Sequence, residues 1–226
     1  MWLNRLRGRL LRFAFHHFYN SFAWTYDAVS ALVSLGHWRE WTQAAIPHLR
    51  GKQVLEIAFG TGNLQLDMRA AGIEPFGLDL SPSMLRITRR KLRRAGLTTR
   101  LMRGTVFQLP LACRSIDSLV LTFPPAFLAS SQAVGEMERV LRGGGRIVVV
   151  DAGWLREPGW LGRLINVAFR FTGTASFEAQ RIDPLRAAGF DVQIISRRDR
   201  RSSVQVLIAD KPIAPDVNSI REDNDV

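Results

Sequence analysis

Short apolar runs alternate with stretches of helical periodicity through the middle of the chain, from Lys52 to Asp151. Five of these runs predict strands, at 53–58, 74–80, 98–102, 117–122 and 146–151. The helical periods between them predict helices at 63–71, 81–95 and 132–141. Strands that alternate with helices are typical of βαβ units, so this region predicts an α/β fold with a parallel sheet.

The C-terminal part of the sequence adds a helix and two strands. Residues 184–188 continue a helix that Gly189 ends, and residues 191–196 and 203–209 have the pattern of strands. Only a short charged turn separates these strands, so they are expected to pair as an antiparallel hairpin. We therefore expect a doubly wound, seven-stranded, mostly parallel sheet whose last strand is antiparallel.

These boundaries divide the chain into a sheet domain and three flanking segments. The sheet domain covers residues 51–211, and residues 1–50, which are helical and aromatic, predict an N-terminal helical lid. Residues 152–179 are rich in Trp, Arg and Gly and predict a lid insertion. Residues 212–226 hold four acidic residues and few large apolar ones, which predicts a disordered tail.

Each lid contains a helix with one apolar and one basic face. In the first lid Arg5, Arg9 and Arg12 flank an apolar arc made of Trp2, Leu3, Leu6, Leu10 and Phe13. In the second lid the apolar face consists of Trp160, Leu161, Leu164, Ile165 and Ala168. This layout is typical of a helix that lies among lipid headgroups, and also of a helix that covers a sheet.

The composition restricts the class of protein. The 226 residues are 46% hydrophobic and 23% charged, which is too apolar for a disordered chain. No run reaches the roughly 18 to 20 apolar residues of a membrane-spanning helix, and the basic N-terminus lacks the apolar region of a signal peptide. We expect an unsecreted, cytoplasmic protein, with membrane association left open. The single cysteine, Cys113, is expected to be a small buried hydrophobe.

The charge balance points to a polyanionic partner. The net charge is +11, from 31 basic and 20 acidic residues. Such a surface attracts polyanions, but charge does not distinguish nucleic acid from an anionic membrane surface. The helix predicted at 81–95 carries many of the arginines, either as a solvated outer face or as a surface for phosphates of lipid or RNA.

The most informative motif is a glycine turn followed by an acid. Gly60 and Gly62 follow the first predicted strand, and glycine permits a positive φ and a close approach of the backbone to a ligand. Asp79 ends the second strand, where a carboxylate can accept hydrogen bonds from both hydroxyls of a ribose. The pair predicts a nucleoside cofactor.

Two details favour S-adenosylmethionine over NAD as that cofactor. A dinucleotide fingerprint has a third glycine, and Gln65 stands at its position here. Glu56 lies in the strand before the turn, where a carboxylate suits a cationic amino-acid moiety and disfavours a pyrophosphate.

These motifs resemble those of a known family. Residues 56–62 and 77–84 resemble motif I and the second-strand motif of class I S-adenosylmethionine-dependent methyltransferases, and residues 104–111 and 138–145 match the same family in order and spacing. Within that class the chain is most similar to the small-molecule branch, methyltransferase type 11, which includes ubiquinone and menaquinone biosynthesis methyltransferases. Residues 18–27 resemble the Tyr-Asp segment that folds over the cofactor in that branch.

The resemblance, which covers roughly residues 50 to 210, implies a Rossmann-like fold and S-adenosyl-L-methionine as the cofactor. It also implies a small, hydrophobic or lipid-like methyl acceptor, and no metal. The cofactor-binding positions that it implies are Glu56, Ala58, Gly60, Gly62, Asp79, Leu80, Met84, Thr105, Val106 and Thr122. The family commonly has Gly at Ala58 and Asp at Thr105, so recognition of the adenine amino group near Thr105 is expected to differ here.

The catalytic residues are less defined by the sequence. Methyl transfer from a sulfonium is an in-line displacement in which positioning supplies much of the acceleration, so a base need not be visible as a motif. The candidates are Tyr26 and His37, both in the N-terminal lid. Each has an alternative interpretation, Tyr26 as a core aromatic residue and His37 as a helix-surface residue.

Two other functions stay open. A nucleic-acid methyltransferase is consistent with the charge, but the sequence lacks the Asn-Pro-Pro-aromatic motif of that class and a separate recognition domain. A non-catalytic binding or scaffold protein with this fold is consistent with the departures at Ala58 and Thr105.

Overall fold

The computed structural model describes residues 26–124, 126–156 and 179–213, together with Gly159 and Gly162. Its strands are β1 (Val54–Ile57), β2 (Phe76–Asp79), β3 (Leu101–Arg103), β4 (Ile116–Thr122), β5 (Leu141–Leu155), β6 (Asp191–Arg198) and β7 (Ser202–Asp210). They form one sheet in the order β3-β2-β1-β4-β5-β7-β6, and β7 runs antiparallel to the other six strands. The predicted sheet is confirmed.

Helices cover both faces of this sheet. They are α1 (Tyr26–Val33), α2 (Trp38–Gln43), α3 (Asn63–Ala70), α4 (Pro82–Arg94), α5 (Ser131–Val140) and α6 (Ala179–Ala187), with short 3-10 turns at Ile46–His48 and Ala126–Ala129. Helix α4 begins as its sequence predicts, because the Ser81 hydroxyl caps it by accepting a hydrogen bond from the Met84 N–H at 3.3 Å.

The sheet separates two hydrophobic clusters, because successive side chains of a strand point to opposite faces. On one face Trp41 of α2 packs with Met68 of α3, against strand residues that include Val120 of β4. On the other face Met137 of α5 and Leu185 of α6 share a cluster with alternate residues of the same strands. The central strands are therefore buried on both sides, which explains their continuous apolar runs.

Strand β5 is longer than its sequence pattern predicts, at both ends. The strand predicted to begin at residue 146 begins at Leu141, so the glycine run at 143–145 lies within it, and Gly144 has a φ of +74°. At the other end Trp154 and Leu155 pair with β7 after a register shift, so the insertion predicted to begin at residue 152 starts inside the sheet. Pairing with β7 extends β5 here, and pairing partners are not visible in a local sequence window.

Several predictions lie outside the described residues. These are the amphipathic helix at residues 2–13, nearly all of the insertion that contains its counterpart at 160–168, and the tail from residue 214 onward. The described part of the N-terminal region, residues 26–50, is helical as expected. In the part of the chain that the structure covers, no helix is long and apolar enough to cross a membrane.

The expectation that Cys113 is buried is wrong. Its side chain is exposed, in the connection that precedes β4. There the Arg139 guanidinium reaches the Cys113 sulfur at 3.6 Å while donating to the Leu109 and Leu111 carbonyls. The connection before β4 lies at the surface and is held by these polar contacts, so Cys113 has no apolar core to pack against.

Substituting Gly153 by alanine is expected to destabilise the protein by about 1 to 3 kcal/mol, the usual cost of overpacking. A Cβ at Gly153 would lie 2.5 Å from the ring of Trp41, which is itself buried. Urea unfolding measures the loss. Gly135→Ala is the matched control, because the space around Gly135 in α5 is open and alanine favours a helix. Equal stability of the two variants would contradict the packing of Trp41 against β5.

Candidate functional site

A glycine-containing turn connects β1 to α3 and holds its backbone in left-handed conformations. Gly60 and Gly62 have φ angles of +57° and +75°, and Ala58 at the start of the turn has +59°. The turn lies at the carboxyl end of the parallel strands, where α/β folds bind ligands. A side chain makes this conformation cost roughly 1 to 2 kcal/mol, so alanine in place of glycine at Ala58 adds strain to the turn.

The buried carboxylate of Asp79 holds this turn from the neighbouring strand. One oxygen accepts a hydrogen bond from the Gly60 N–H at 2.9 Å, and the other accepts one from the Ser81 N–H at 2.8 Å. On the opposite side of the turn, the Thr88 hydroxyl of α4 donates to the Gly60 carbonyl at 2.9 Å. Burial raises the pKa of Asp79, and these backbone hydrogen bonds act in the other direction.

A second carboxyl group, Glu56 of β1, is buried beneath the turn. Its oxygen accepts a hydrogen bond from the Gln65 side-chain amide at 2.7 Å. Burial raises the pKa of Glu56 to about 8, against a smaller opposing effect of the Gln65 hydrogen bond. Glu56 therefore carries a proton at neutral pH and would ionise readily beside a cation. Gln65, at the position where a dinucleotide fingerprint has glycine, is thus the partner of this carboxyl group.

A cavity of about 40 Å³ lies above the turn. It is lined by Trp38, Arg39, Thr42, Glu56, Ala58, Phe59, Gly60, Thr61, Asn63, Leu64 and Thr122. Residues from α2, β1, the turn, α3 and β4 thus meet at one point. Of the predicted cofactor positions, the structure brings Glu56, Ala58, Gly60 and Thr122 together here.

An aromatic pair borders the same cavity where β4 ends. Trp38 of α2 stacks on Phe123 with ring centroids 4.2 Å apart and an angle of 25° between the planes. Phe123 has a φ of +46°, and its N–H donates to the Val150 carbonyl of β5 at 2.7 Å. The cavity therefore has an apolar, aromatic wall beside the polar floor that Glu56 provides.

Arg39 contributes a positive charge at the cavity mouth. Its side chain is largely exposed and forms a forked hydrogen bond with the buried Asp67 carboxylate of α3, with Nη2 to Oδ1 at 2.6 Å and Nε to Oδ1 at 3.1 Å. This contact fastens α2 to α3. It also leaves other guanidinium N–H groups of Arg39 free to meet a ligand, because the fork uses two of five donors.

Asp27 connects helix α1 to the turn. One carboxylate oxygen accepts hydrogen bonds from the Thr61 hydroxyl at 2.5 Å and the Asn63 amide at 3.0 Å, and the other lies 3.2 Å from the Lys91 ammonium of α4. Lys91 also donates to the Asn63 amide oxygen at 2.6 Å. The Tyr-Asp segment of the sequence thus contacts the glycine turn directly, through its aspartate.

The remaining predicted cofactor positions lie around the cavity without lining it. Thr105 and Val106 belong to a tight turn after β3, in which the Thr105 hydroxyl accepts a hydrogen bond from the Phe107 N–H at 3.3 Å. Leu80 is exposed, whereas Met84 is fully buried and packs against Phe59 of the glycine turn. Gly62 is enclosed too, because a Cβ there would lie 2.2 Å from the Thr88 side chain.

His37, one of the two catalytic candidates, does not line the cavity. His37 precedes α2, and its Nδ1 lies 2.8 Å from a Glu40 oxygen on the same helix. Tyr26 begins α1, but its side chain is outside the described part of the structure. Among the described residues, no three His, Cys, Asp or Glu side chains cluster as metal ligands would.

Sequence reasoning missed the contribution of helix α2. Trp38, Arg39 and Thr42 reach the cavity only because α2 packs across α3, far away in sequence from the glycine turn. The three residues are spaced three and four apart, as on one face of a helix. Every buried helix face has this spacing, so it does not distinguish a ligand site from ordinary packing.

The sequence matches the ubiE/COQ5 methyltransferase family over residues 10–160. The demethylmenaquinone methyltransferase of Thermus thermophilus is 36% identical over 132 residues, which cover 56% of this chain and 60% of that protein. The demethylmenaquinone methyltransferase of Deinococcus radiodurans is 33% identical over 144 residues, which cover 61% of this chain and 60% of that protein. The matched part thus spans about 60% of the length of each relative.

Among solved structures, a SAM-dependent methyltransferase from Thermotoga maritima superimposes with a TM-score of 0.59. The superposition covers 87% of this chain and 99% of that one, at 21% sequence identity. This likeness concerns the fold and confirms its Rossmann-like class.

Replacing Glu56 by glutamine is expected to change how stability depends on pH. The unfolded chain has the ordinary glutamate pKa of 4.5, whereas the folded protein keeps the Glu56 proton up to a pKa of about 8. Wild-type stability therefore falls as the pH rises between these values, with a maximal slope of about 1.4 kcal/mol per pH unit from this group. The amide of Glu56→Gln has no proton to lose and can still accept the Gln65 hydrogen bond.

Urea unfolding of both proteins at pH 5, 6, 7 and 8 tests this expectation. The difference between the two stabilities isolates Glu56 from other carboxyl groups, including Asp79, and should grow in favour of Glu56→Gln as the pH rises. A difference that is the same at every pH would contradict a buried, protonated Glu56.

Proposed function

The chain belongs to the ubiE/COQ5 methyltransferase family, and we propose that it transfers a methyl group from S-adenosyl-L-methionine to a small hydrophobic acceptor. One constellation carries the proposal: buried Glu56 lines the cavity over the glycine turn, and buried Asp79 holds that turn at Gly60. The cofactor is a nucleoside with a cationic amino-acid tail. The two carboxyl groups match its two ends.

The nucleoside end fits the side of the turn where Asp79 lies. The Asp79 carboxylate accepts backbone hydrogen bonds from Gly60, Ser81 and Leu80. A carboxylate offers about four acceptor sites, so a ribose hydroxyl can still donate to it. Leu80 is 62% exposed and Phe107, after the neighbouring strand, is 40% exposed. Exposed apolar side chains next to a ligand site are typical binding surfaces, and we assign them to the adenine ring.

We assign the amino-acid end of the cofactor to the cavity above the turn, on the chemistry of its lining residues. Glu56 ionises beside an ammonium group, since the attraction of a cation favours the charged form of a buried carboxyl group. Arg39 at the mouth can turn free N–H donors towards the cofactor carboxylate, a geometry for which the guanidinium is well suited. The structure leaves open space at Gly60, where an added Cβ would meet no atom within 4 Å, so a ligand can approach the backbone there.

The reaction is an in-line displacement, for which the bound cofactor supplies an electrophilic methyl group on a sulfonium. A nucleophilic atom of the acceptor bonds to the methyl carbon, the carbon–sulfur bond breaks, and its electron pair stays on sulfur. The acceptor then loses its proton to solvent or to a base. The contribution of this chain is to position the two reactants and to exclude water, which accounts for much of the acceleration in such reactions.

The acceptor side is formed by the aromatic wall. Trp38 and Phe123 offer flat apolar surface next to Thr122, and aromatic side chains favour stacking with flat rings. The relatives from Thermus and Deinococcus are named demethylmenaquinone methyltransferases. Together these support an acceptor with a quinone-like ring.

Calorimetric titration with S-adenosylhomocysteine tests the cofactor site. Wild type should bind, and Asp79→Asn should lose on the order of 100-fold in affinity, because charged hydrogen bonds to the ribose are weakened and the turn loses its charged anchor. Asp191→Asn, an equal change at an exposed position at the start of β6, serves as the control. Absence of binding to wild type would favour a non-catalytic protein with this fold.

The acceptor class is tested with methyl-labelled cofactor and two substrates, a short-chain demethylmenaquinone and a total RNA preparation. Label is expected in the organic extract of the quinone reaction and not on RNA. Label on RNA alone would overturn the proposed acceptor while leaving the cofactor site intact.

Arg39→Gln is expected to weaken S-adenosylhomocysteine binding about tenfold, the loss of one charged hydrogen bond. Binding of 5′-methylthioadenosine should not change, since that ligand has no carboxylate for Arg39 to meet. Asp67→Asn is the companion variant, because it loosens the same ion pair while keeping the guanidinium. A similar loss for both ligands would mean that Arg39 acts only through the packing of α2.

A further inference from the structure

The outer face of helix α4 is lined with arginines. Arg86, Arg89, Arg90, Arg93 and Arg94 form a shallow groove of about 400 Å³ on this helix. They lie opposite the face that buries Met84, Thr88 and Leu92. The groove shares no lining residue with the cavity above the glycine turn. The groove is therefore separate from the candidate cofactor site, and the methyl-transfer proposal does not use it.

Among the residues that the structure describes, these five arginines have no acidic partner, whereas several other basic residues do. Arg39, Arg139, Arg142 and Lys91 each form an ion pair with a carboxylate. Within the part of the chain that the structure describes, none of the five groove arginines does so; Arg86 donates to the Ser83 hydroxyl at 3.0 Å. Their charges are therefore available to an anionic ligand.

The arrangement lowers the stability of the helix. Arg86 and Arg90, Arg89 and Arg93, and Arg90 and Arg94 stand four residues apart, a spacing at which like charges repel each other along a helix. An anion that lies across the groove would remove this repulsion. Guanidinium groups also bind phosphate in a forked geometry, so the groove suits a surface that presents several phosphates.

Helix α1, which is attached to α4, exposes apolar side chains. Asp27 of α1 lies 3.2 Å from Lys91 of α4. Large apolar side chains that are exposed on α1 and just after its C-terminal end include Val29, Leu32 and Leu35. Leu32 is 68% exposed. A basic helix face together with exposed leucine and valine side chains on an attached helix is a combination that binds the interface of an anionic bilayer. Single-stranded nucleic acid instead selects aromatic side chains beside the basic groups.

We propose that the arginine groove of α4 binds the phosphate headgroups of an anionic phospholipid bilayer, with the exposed apolar residues of α1 entering the interface. The choice of lipid rests on the proposed function, because a hydrophobic acceptor dissolves in the bilayer. Attachment through α4 keeps the enzyme at the surface that contains its acceptor. The helix begins at Pro82, next to Asp79, so the attached face is directly connected to the cofactor site.

Vesicle co-sedimentation tests the groove. The probes are vesicles of phosphatidylglycerol with phosphatidylcholine, and vesicles of phosphatidylcholine alone. The groove variant combines Arg86→Gln, Arg90→Gln and Arg93→Gln. The matched control removes the same charge from the exposed end of the β6–β7 hairpin, through Arg198→Gln, Arg200→Gln and Arg201→Gln.

Wild type is expected to bind the anionic vesicles and not the neutral ones. Each arginine near an anionic surface adds about fivefold to the affinity, so the groove variant should bind roughly 100-fold more weakly and the hairpin variant nearly as well as wild type. If both variants lost the same vesicle affinity, net charge alone would explain the binding, and the proposal would be overturned. Absence of wild-type binding would overturn it too.

A second pair of variants distinguishes a bilayer from a soluble polyanion. Leu32→Gln should weaken vesicle binding several-fold, whereas Ile194→Gln, at an exposed apolar position of β6, should not. Neither should alter binding to a 20-nucleotide RNA. A groove variant that loses RNA binding but keeps vesicle binding would assign the groove to nucleic acid.

S-adenosylhomocysteine binding is measured on every variant. Retained binding shows that the variants fold. If wild type bound vesicles but not S-adenosylhomocysteine, the proposed methyl transfer would be contradicted. The proposal that α4 binds a bilayer would still hold.

Discussion

The hydrogen bond from the Gly60 N–H to the Asp79 carboxylate is the interaction on which the rest of the site depends. It joins the ends of two adjacent parallel strands and fixes the turn between β1 and α3 in its left-handed conformation. A buried carboxylate is costly unless polar partners meet it, and the backbone of the turn supplies them. The same contact therefore stabilises the acid and shapes the turn that receives a ligand.

The other buried acid, Glu56, is accommodated by a side-chain amide instead of by backbone N–H groups. Glu56 pairs in the sheet with Gly77 of β2, and a Cβ at Gly77 would lie 3.2 Å from the Gln65 amide nitrogen and closer still to Phe59. Glycine at this position thus leaves room for the amide that meets Glu56. A carboxyl group held neutral in this way can respond to a cation by ionising, whereas a carboxylate already paired with lysine or arginine could not.

The N-terminal helices α1 and α2 pack beside the carboxyl ends of the strands, and α2 provides one wall of the cavity there. Asp27 accepts hydrogen bonds from Thr61 and Asn63 where the glycine turn enters α3. Arg39 forms an ion pair with Asp67 of α3, and Trp38 stacks on Phe123. A Rossmann-like sheet alone provides the cofactor side of a methyltransferase site. In the proposed function these added helices form the acceptor side, and the side chains that they bring to it include the aromatic ring of Trp38.

The sequence by itself determined the order and type of nearly every described element, because strand and helix periodicity and caps such as Ser81 are local properties. It also determined the glycine turn and the two acids, Glu56 and Asp79, because a turn between buried strands has a recognisable spacing. Only the tertiary structure decided the full length of β5, the exposure of Cys113 and the entry of Trp38 and Arg39 into the site. Each of these depends on strand pairing or packing between residues far apart in the chain, and no local pattern records which distant partner a residue meets.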